Sequence, residues 1–126
     1  MYAVLRRWTV RYMRLYSDAD GVSRFEDLEV EFAPRTFVPP APPFDVSEPI
    51  GASEYLMIRV PAGWSDAAHP APARQLMLFM AGSFEVTAGE ETRRIGAGDI
   101  VLLENTRGPG HGTVALEDTV IAVVRL

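Results

Sequence analysis

From Glu54 to the C-terminus the chain is a succession of short β-rich runs, each closed by a turn that carries glycine. "EYLMIRV" (54–60) ends at "PAG", "QLMLFM" (75–80) ends at "AGS", and the run 83–88 ends at "AGE". "TRRI" (92–95) stops at "GAGD", "IVLL" (100–103) enters "ENTRGPGHG", and "TVAL" (113–116) and "TVIAVV" (119–124) follow. Branched and aromatic residues favour a pleated surface, and glycine supplies the backbone conformations that tight reversals need. Recurrence at roughly 8 to 12 residues, with no sustained helical period, predicts an all-β sandwich or barrel.

Residues 33–53 are a different material. Pro34, Pro39, Pro40, Pro42, Pro43 and Pro49 forbid helix and any central strand. In a chain of 126 residues, sized for one domain, this divides the text in two. Residues 54–126 are expected to form the barrel core, and 1–53 an N-terminal arm and proline-rich strap packing on it. "MRLYSDADG" from Met13 reads as a natural start, which makes 1–12 an upstream extension, while "YAVLRRWTVRYM" reads equally as a first strand.

Composition excludes several chemistries. There is no cysteine, hence no disulfide, thiolate nucleophile or zinc-thiolate site. All twelve basic residues are arginine, so no lysine is present for a Schiff base or a phosphate loop. A net charge of −5 opposes a nucleic-acid partner, and Arg6, Arg7, Arg11 and Arg14 are interleaved with apolar residues rather than forming a basic run. No serine of the six sits on a nucleophile elbow. No run approaches the ~20 apolar residues that cross a bilayer, and a signal-peptide pattern is missing, so no membrane partner and a cytoplasmic location are expected.

Alternation along a strand assigns side chains to faces. Gln75, Met77 and Phe79 share one face, and Tyr55, Met57 and Arg59 share another. "QLMLFM" is apolar on both faces after Gln75, which predicts cover on both sides, by another sheet or by a subunit.

The chain has two histidines, His69 and His111, and the stretch between them resembles the two-motif core of the cupin family. With Gly82 as the closing glycine of the first motif, His69 falls at its first histidine, Ala71 at its second and Gln75 at its glutamate. Gly98 opens the second motif, Glu104 stands where proline is usual, and a two-residue insertion brings His111 to the histidine. The resemblance implies a cupin-type jelly-roll β-barrel with its site at the barrel mouth, and a homodimer, for which the N-terminal segment is a candidate arm. It also implies a metal triad of His69, Gln75 and His111, since glutamine is a zinc ligand in the phosphomannose isomerases of this superfamily. Glu104 is a possible further ligand or acid/base. Arg74 and Arg107 flank the site as candidate carboxylate binders, and Tyr55, Met57, Met77 and Phe79 are candidate pocket walls.

Two functions follow from the resemblance. In one, a single divalent ion (Fe, Mn, Zn or Ni) serves an oxygenase or isomerase acting on a small organic molecule. In the other, the site has no metal and the barrel only binds a small molecule. Bland alternatives stand beside both: His69 as a solvated loop residue, Gln75 as a strand-end cap, Glu104 and Asn105 as turn formers.

Overall fold

A computed structural model describes residues 8–126. It contains eleven strands: β1 (Arg11–Ser17), β2 (Ser23–Glu29), β3 (Ala33–Arg35), β4 (Phe44–Val46), β5 (Glu54–Val60), β6 (Gln75–Ala81), β7 (Ser83–Ala88), β8 (Glu91–Gly96), β9 (Ile100–Glu104), β10 (His111–Ala115) and β11 (Thr119–Arg125). The all-β expectation is met. Among the described residues no helix is long and apolar enough to cross a membrane.

Six strands form one sheet in the order β2-β1-β9-β6-β11-β5, and β10-β7-β8 form a second. Pairing is antiparallel except between β1 and β9, which run parallel. The two sheets pack face to face. Phe79 of β6 meets Phe84 of β7 edge-on, with ring centroids 5.3 Å apart, in a core that also holds Leu15, Val86, Ile95, Val101, Leu103, Ile121 and Val123. The chain crosses from β6 to β7 at Gly82, which has φ +81° and approaches Asp118 so closely that a Cβ would lie 2.3 Å from its carbonyl oxygen. Only glycine fits that corner.

The expected division at residues 53/54 is corrected. β1 lies between β2 and β9, and Leu15 is 1% exposed within the core, so a barrel made of 54–126 alone would lack part of its wall. The reason is register: Met13 to Tyr16 pair with Val101 to Glu104, which buries Leu15 between the sheets. Arg11 and Tyr12 belong to β1, whereas Arg6, Arg7 and most of the proposed upstream extension lie outside the described residues. Residues 33–46 form a two-stranded ribbon, β3 with β4, and do not pack down as a strap. Nearly every position from 31 to 45 is exposed, as prolines unable to donate to a ladder dictate.

Candidate functional site

The segment 61–75 runs along β10 and fastens to it at two bridges, Ser65 to Val114 and His69 to His111. The His69 N–H donates to the His111 carbonyl at 3.1 Å, and the His111 N–H donates back at 3.0 Å. This approach requires Gly110, whose φ is +81° and whose Cβ, if present, would fall 1.9 Å from the His69 carbonyl carbon. The "GPGHG" stretch is therefore glycine-rich because another backbone passes against it. The two rings end up 5.4 Å apart, centroid to centroid.

Their environments differ. His69 is half-exposed, and both of its ring nitrogens face acceptors: Nδ1 meets the Pro70 carbonyl at 2.9 Å and Nε2 the Asp66 carboxylate at 2.5 Å. Two acceptors favour a ring with two N–H groups, the imidazolium. The Pro70 carbonyl first, then Asp66, raises the His69 pKa above its ordinary value. Asp66 is fixed in turn, its second oxygen accepting the Thr113 N–H at 2.9 Å.

His111 is buried, and burial first, then the nearby charge of His69, lowers its pKa. Its Nδ1 lies 2.7 Å from the Asn105 amide nitrogen, which also donates to the Ser23 hydroxyl at 2.9 Å. Asn105 is wholly buried, and its Oδ1 has no partner. With the amide donating, Nδ1 carries the lone pair and Nε2 the proton. The His111 ring borders a cavity of about 40 Å³ between the sheets, whose walls include Met77, Phe79, Phe84, Val101 and Leu103. Thr113 is the other polar side chain on that wall. Such a space admits a water or a terminal methyl, an order of magnitude below the ~300–1,000 Å³ of an ordinary ligand pocket.

The expected site residues separate into groups. His69 and His111 come together. Gln75 is buried on the same face as Met77 and Phe79, as alternation predicts, and those two line the cavity. Among the described residues, however, no hydrogen bond joins Gln75 to either histidine.

Glu104 projects from the opposite, outer face of the sheet, so its proposed role is corrected. Arg14 Nε donates to it at 2.6 Å and Arg74 Nε donates to its other oxygen. Burial raises its pKa, but the two arginine hydrogen bonds prevail and hold the carboxyl below its ordinary value. Arg74 is thus committed to Glu104, and Arg107 donates to the Asp18 carbonyl at 2.6 Å, clamping the loop after β1. Arg74 is therefore paired with a carboxylate of this chain, whereas Arg107 meets only a backbone carbonyl among the described residues. Arg11 and Arg14 are likewise paired, with Glu29 and with Glu26 and Glu104.

Tyr55 and Met57 are not pocket walls. They are 81% and 58% exposed, because the register of β5 against β11 sets Leu56, Ile58 and Val60 toward the core. Arg59 shares their face and carried the signal: turned inward it would bury an unpaired charge.

Four residues of this region did not figure as site candidates in the sequence: Asp66, Ser23, Asn105 and Thr113. Asp66 stands three residues before His69, a spacing that in a loop suggests nothing by itself, and Ser23 arrives from another strand pair altogether. Among the described residues no group of three His, Cys, Asp or Glu side chains is arranged to hold a metal ion. Of the expected triad, His69 and His111 lie together, both ring nitrogens of His69 face acceptors, and Gln75 makes no hydrogen bond to either histidine. A tight site needs about three ligands from the protein.

No family model matches the sequence, and no curated protein matches it. Several solved structures are similar. One is a conserved protein of unknown function from Streptococcus pyogenes, at 22% identity over 56% of this chain, with a TM-score of 0.46; the chain spans 61% of that protein's length. Another is a cupin 2 conserved barrel domain protein from Salinispora arenicola, at 18% identity, covering 87% of this chain and 78% of the other, with a TM-score of 0.46. A third is a Schizosaccharomyces pombe cupin domain, at 15% identity, covering 94% of this chain and 87% of the other, with a TM-score of 0.44.

Proposed function

We propose that the chain is a small cupin-type domain that binds a small molecule at the His111 end of its interior, without a metal ion and without catalysis. The observation that supports this reading is the uneven commitment of the two histidines. Both nitrogens of His69 are taken by Pro70 and Asp66, while His111 has Nδ1 held by Asn105 and Nε2 left to meet whatever reaches the cavity. Asp66 and His69 are hydrogen-bonded to each other, and among the described residues no titratable side chain other than His111 lines the cavity. A ligand would present one polar atom to Nε2 and a methyl-sized apolar end to the 40 Å³ space, its body lying at the mouth between segments 61–75 and 104–112.

One observation favours the metal-dependent oxygenase or isomerase as a second reading. Two imidazoles and the Asp66 carboxylate meet at one end of the fold, the donor types of a two-histidine, one-carboxylate centre. That set would have to exchange the His69 proton for the ion.

Tag-free protein decides between them. The binding reading expects no stoichiometric Fe, Mn, Zn or Ni, no thermal shift on adding these ions, and a small molecule recovered from denatured wild type in greater yield than from His111→Ala. A metal ion that stabilises wild type and not His111→Ala would overturn it.

A further inference from the structure

Granted a small molecule at the His111 end, the donors and walls there decide which class of molecule enters. Asn105 sets the first condition. Its amide nitrogen lies 2.7 Å from His111 Nδ1 and 2.9 Å from the Ser23 hydroxyl, and the residue is wholly buried. Turned the other way, the carboxamide would place its NH2 group where Oδ1 now stands without a partner, burying two orphan donors in place of one orphan acceptor. The nitrogen therefore faces the ring. An imidazole whose Nδ1 accepts a hydrogen bond carries its proton on Nε2 and no charge, so His111 offers the cavity a neutral N–H donor.

The walls set size and polarity. Met77, Phe79, Phe84 and Leu103 stand around a space of about 40 Å³, enough for a methyl group. Thr113 lies two residues beyond His111 on the same face of β10 and lines the same space, and its hydroxyl has no hydrogen-bond partner among the described residues. One wall thus carries an N–H and an O–H, matching the two lone pairs of a single carbonyl oxygen.

Charged head groups are selected against. An anion would meet no guanidinium, since among the described residues no arginine lines the cavity, and Arg14 and Arg74 serve Glu104 on the outer face. The ring of His69, 5.4 Å from that of His111, already faces Asp66. An ammonium group would oppose the Nε2–H, donor against donor. Either charge would enter an apolar space without a partner, which costs far more than burying a neutral acceptor that is hydrogen-bonded.

We propose that the ligand of the His111 end is an uncharged methyl carbonyl compound, a methyl ketone or an acetyl amide or ester, whose oxygen accepts from His111 Nε2 while its methyl group enters beside Met77 and Phe79. The assignment rests on the small-molecule reading of the site and adds the ligand's class to it.

The full chain, tag-free and labelled with methyl-13C methionine and 15N histidine, is titrated at neutral pH with butanone and with two charged molecules of its size, propionate and sec-butylammonium. Butanone is expected to shift the Met77 methyl and the His111 ring nitrogens together and saturably, at roughly millimolar concentration for so small a probe. The Met80 methyl, 60% exposed on the outer face of the sheet, should stay in place. Propionate and sec-butylammonium should bind at least about tenfold more weakly, and His111→Leu should lose about tenfold in butanone affinity. If His111→Leu does not fold, the three probes on wild type decide alone. Propionate or sec-butylammonium saturating the two signals as readily as butanone overturns the carbonyl assignment and leaves the small-molecule reading standing. So does a butanone complex that moves Met77 and not His111. If none of the three probes moves either signal, the small-molecule reading falls and the carbonyl assignment with it.

Discussion

His69 and His111 are held together twice, by a reciprocal pair of backbone hydrogen bonds and by rings 5.4 Å apart, yet their protonation preferences are opposite. The Pro70 carbonyl and the Asp66 carboxylate favour the charged ring of His69, whereas burial and the His69 charge favour the neutral ring of His111. One end of the fold thus favours charge on the outer ring and neutrality on the inner one.

Imidazole NMR signals followed across pH are therefore expected to show two titrations on opposite sides of the ordinary value of 6.5, His69 above and His111 below. The linked stabilities have opposite signs. The His69 contribution is present below pH 6.5 and lost as pH rises through its raised native value. The His111 contribution is present above pH 6.5 and lost as pH falls toward its lowered native value. His69→Gln should flatten the alkaline limb of the stability curve and His111→Gln the acid limb. Coincident titrations, or the reverse order, would remove the proposed division of charge.

Asn105 connects β1–β2 to the site, because its amide donates both to Ser23 and to the His111 ring. Asn105→Ala leaves a buried hydroxyl and a buried ring nitrogen without partners, at a cost of about 1–3 kcal/mol in urea unfolding. It also frees His111 Nδ1, so the ring's tautomer should change in its nitrogen chemical shifts. A variant as stable as wild type, with an unchanged tautomer, would show that the amide does not orient the ring.

The strands of 54–126 were legible because each is bounded by residues whose geometry is unambiguous; β5, read as 54–60, and β7, read as 83–88, match to the residue. The shared face of Gln75, Met77 and Phe79 followed from alternation, and that it turns inward followed from alternation together with the cupin resemblance. The same rule, applied to β5 without asking where Arg59 would go, put Tyr55 and Met57 on the wrong side. β1 and β2 were harder to place, since their arginines and glutamates are satisfied across strands (Arg14 by Glu104, ninety residues away) and such pairings leave no local mark. Asp66 and Asn105 were hidden for the same reason. Their roles come from Thr113, Ser23 and His111 being brought to them by the fold.

Gly110→Ala tests the bridge between the histidines. The added methyl would occupy the position of the His69 carbonyl, and φ +81° is strained for alanine regardless of space. The loop must retreat, and a loss of about 2–4 kcal/mol is expected. Asp66 should lose its bond to Thr113 along with the displacement, so the His69 titration should drift back toward its ordinary value. Gly63→Ala is the control: its φ is also positive, but nothing stands within 4 Å of the added methyl, and it should cost strain alone. Equal losses from both glycines would dismiss the close approach as the cause.

Glu104 shows why a carboxylate at a strand end beside a candidate site need not belong to that site. It projects from the outer face between Arg14 and Arg74, and those two hydrogen bonds outweigh the burial that would otherwise favour its neutral form. The pair with Arg14 ties β9 to its parallel neighbour β1. Because the native pKa is lowered, the carboxylate's contribution is present above its ordinary value of 4.5 and lost as pH falls through the native value. Glu104→Gln keeps the shape and removes the charge, so at neutral pH it should cost about 1–2 kcal/mol, tempered by solvent around the half-exposed Arg74. The deficit should close on acidification, as wild type loses what the variant never had. Metal content and any small molecule retained by the protein should be unchanged, since the His111 cavity lies on the other face of the sheet. A constant deficit from neutral to acid pH would deny the ionised clamp, and an altered ligand yield would return Glu104 to the site.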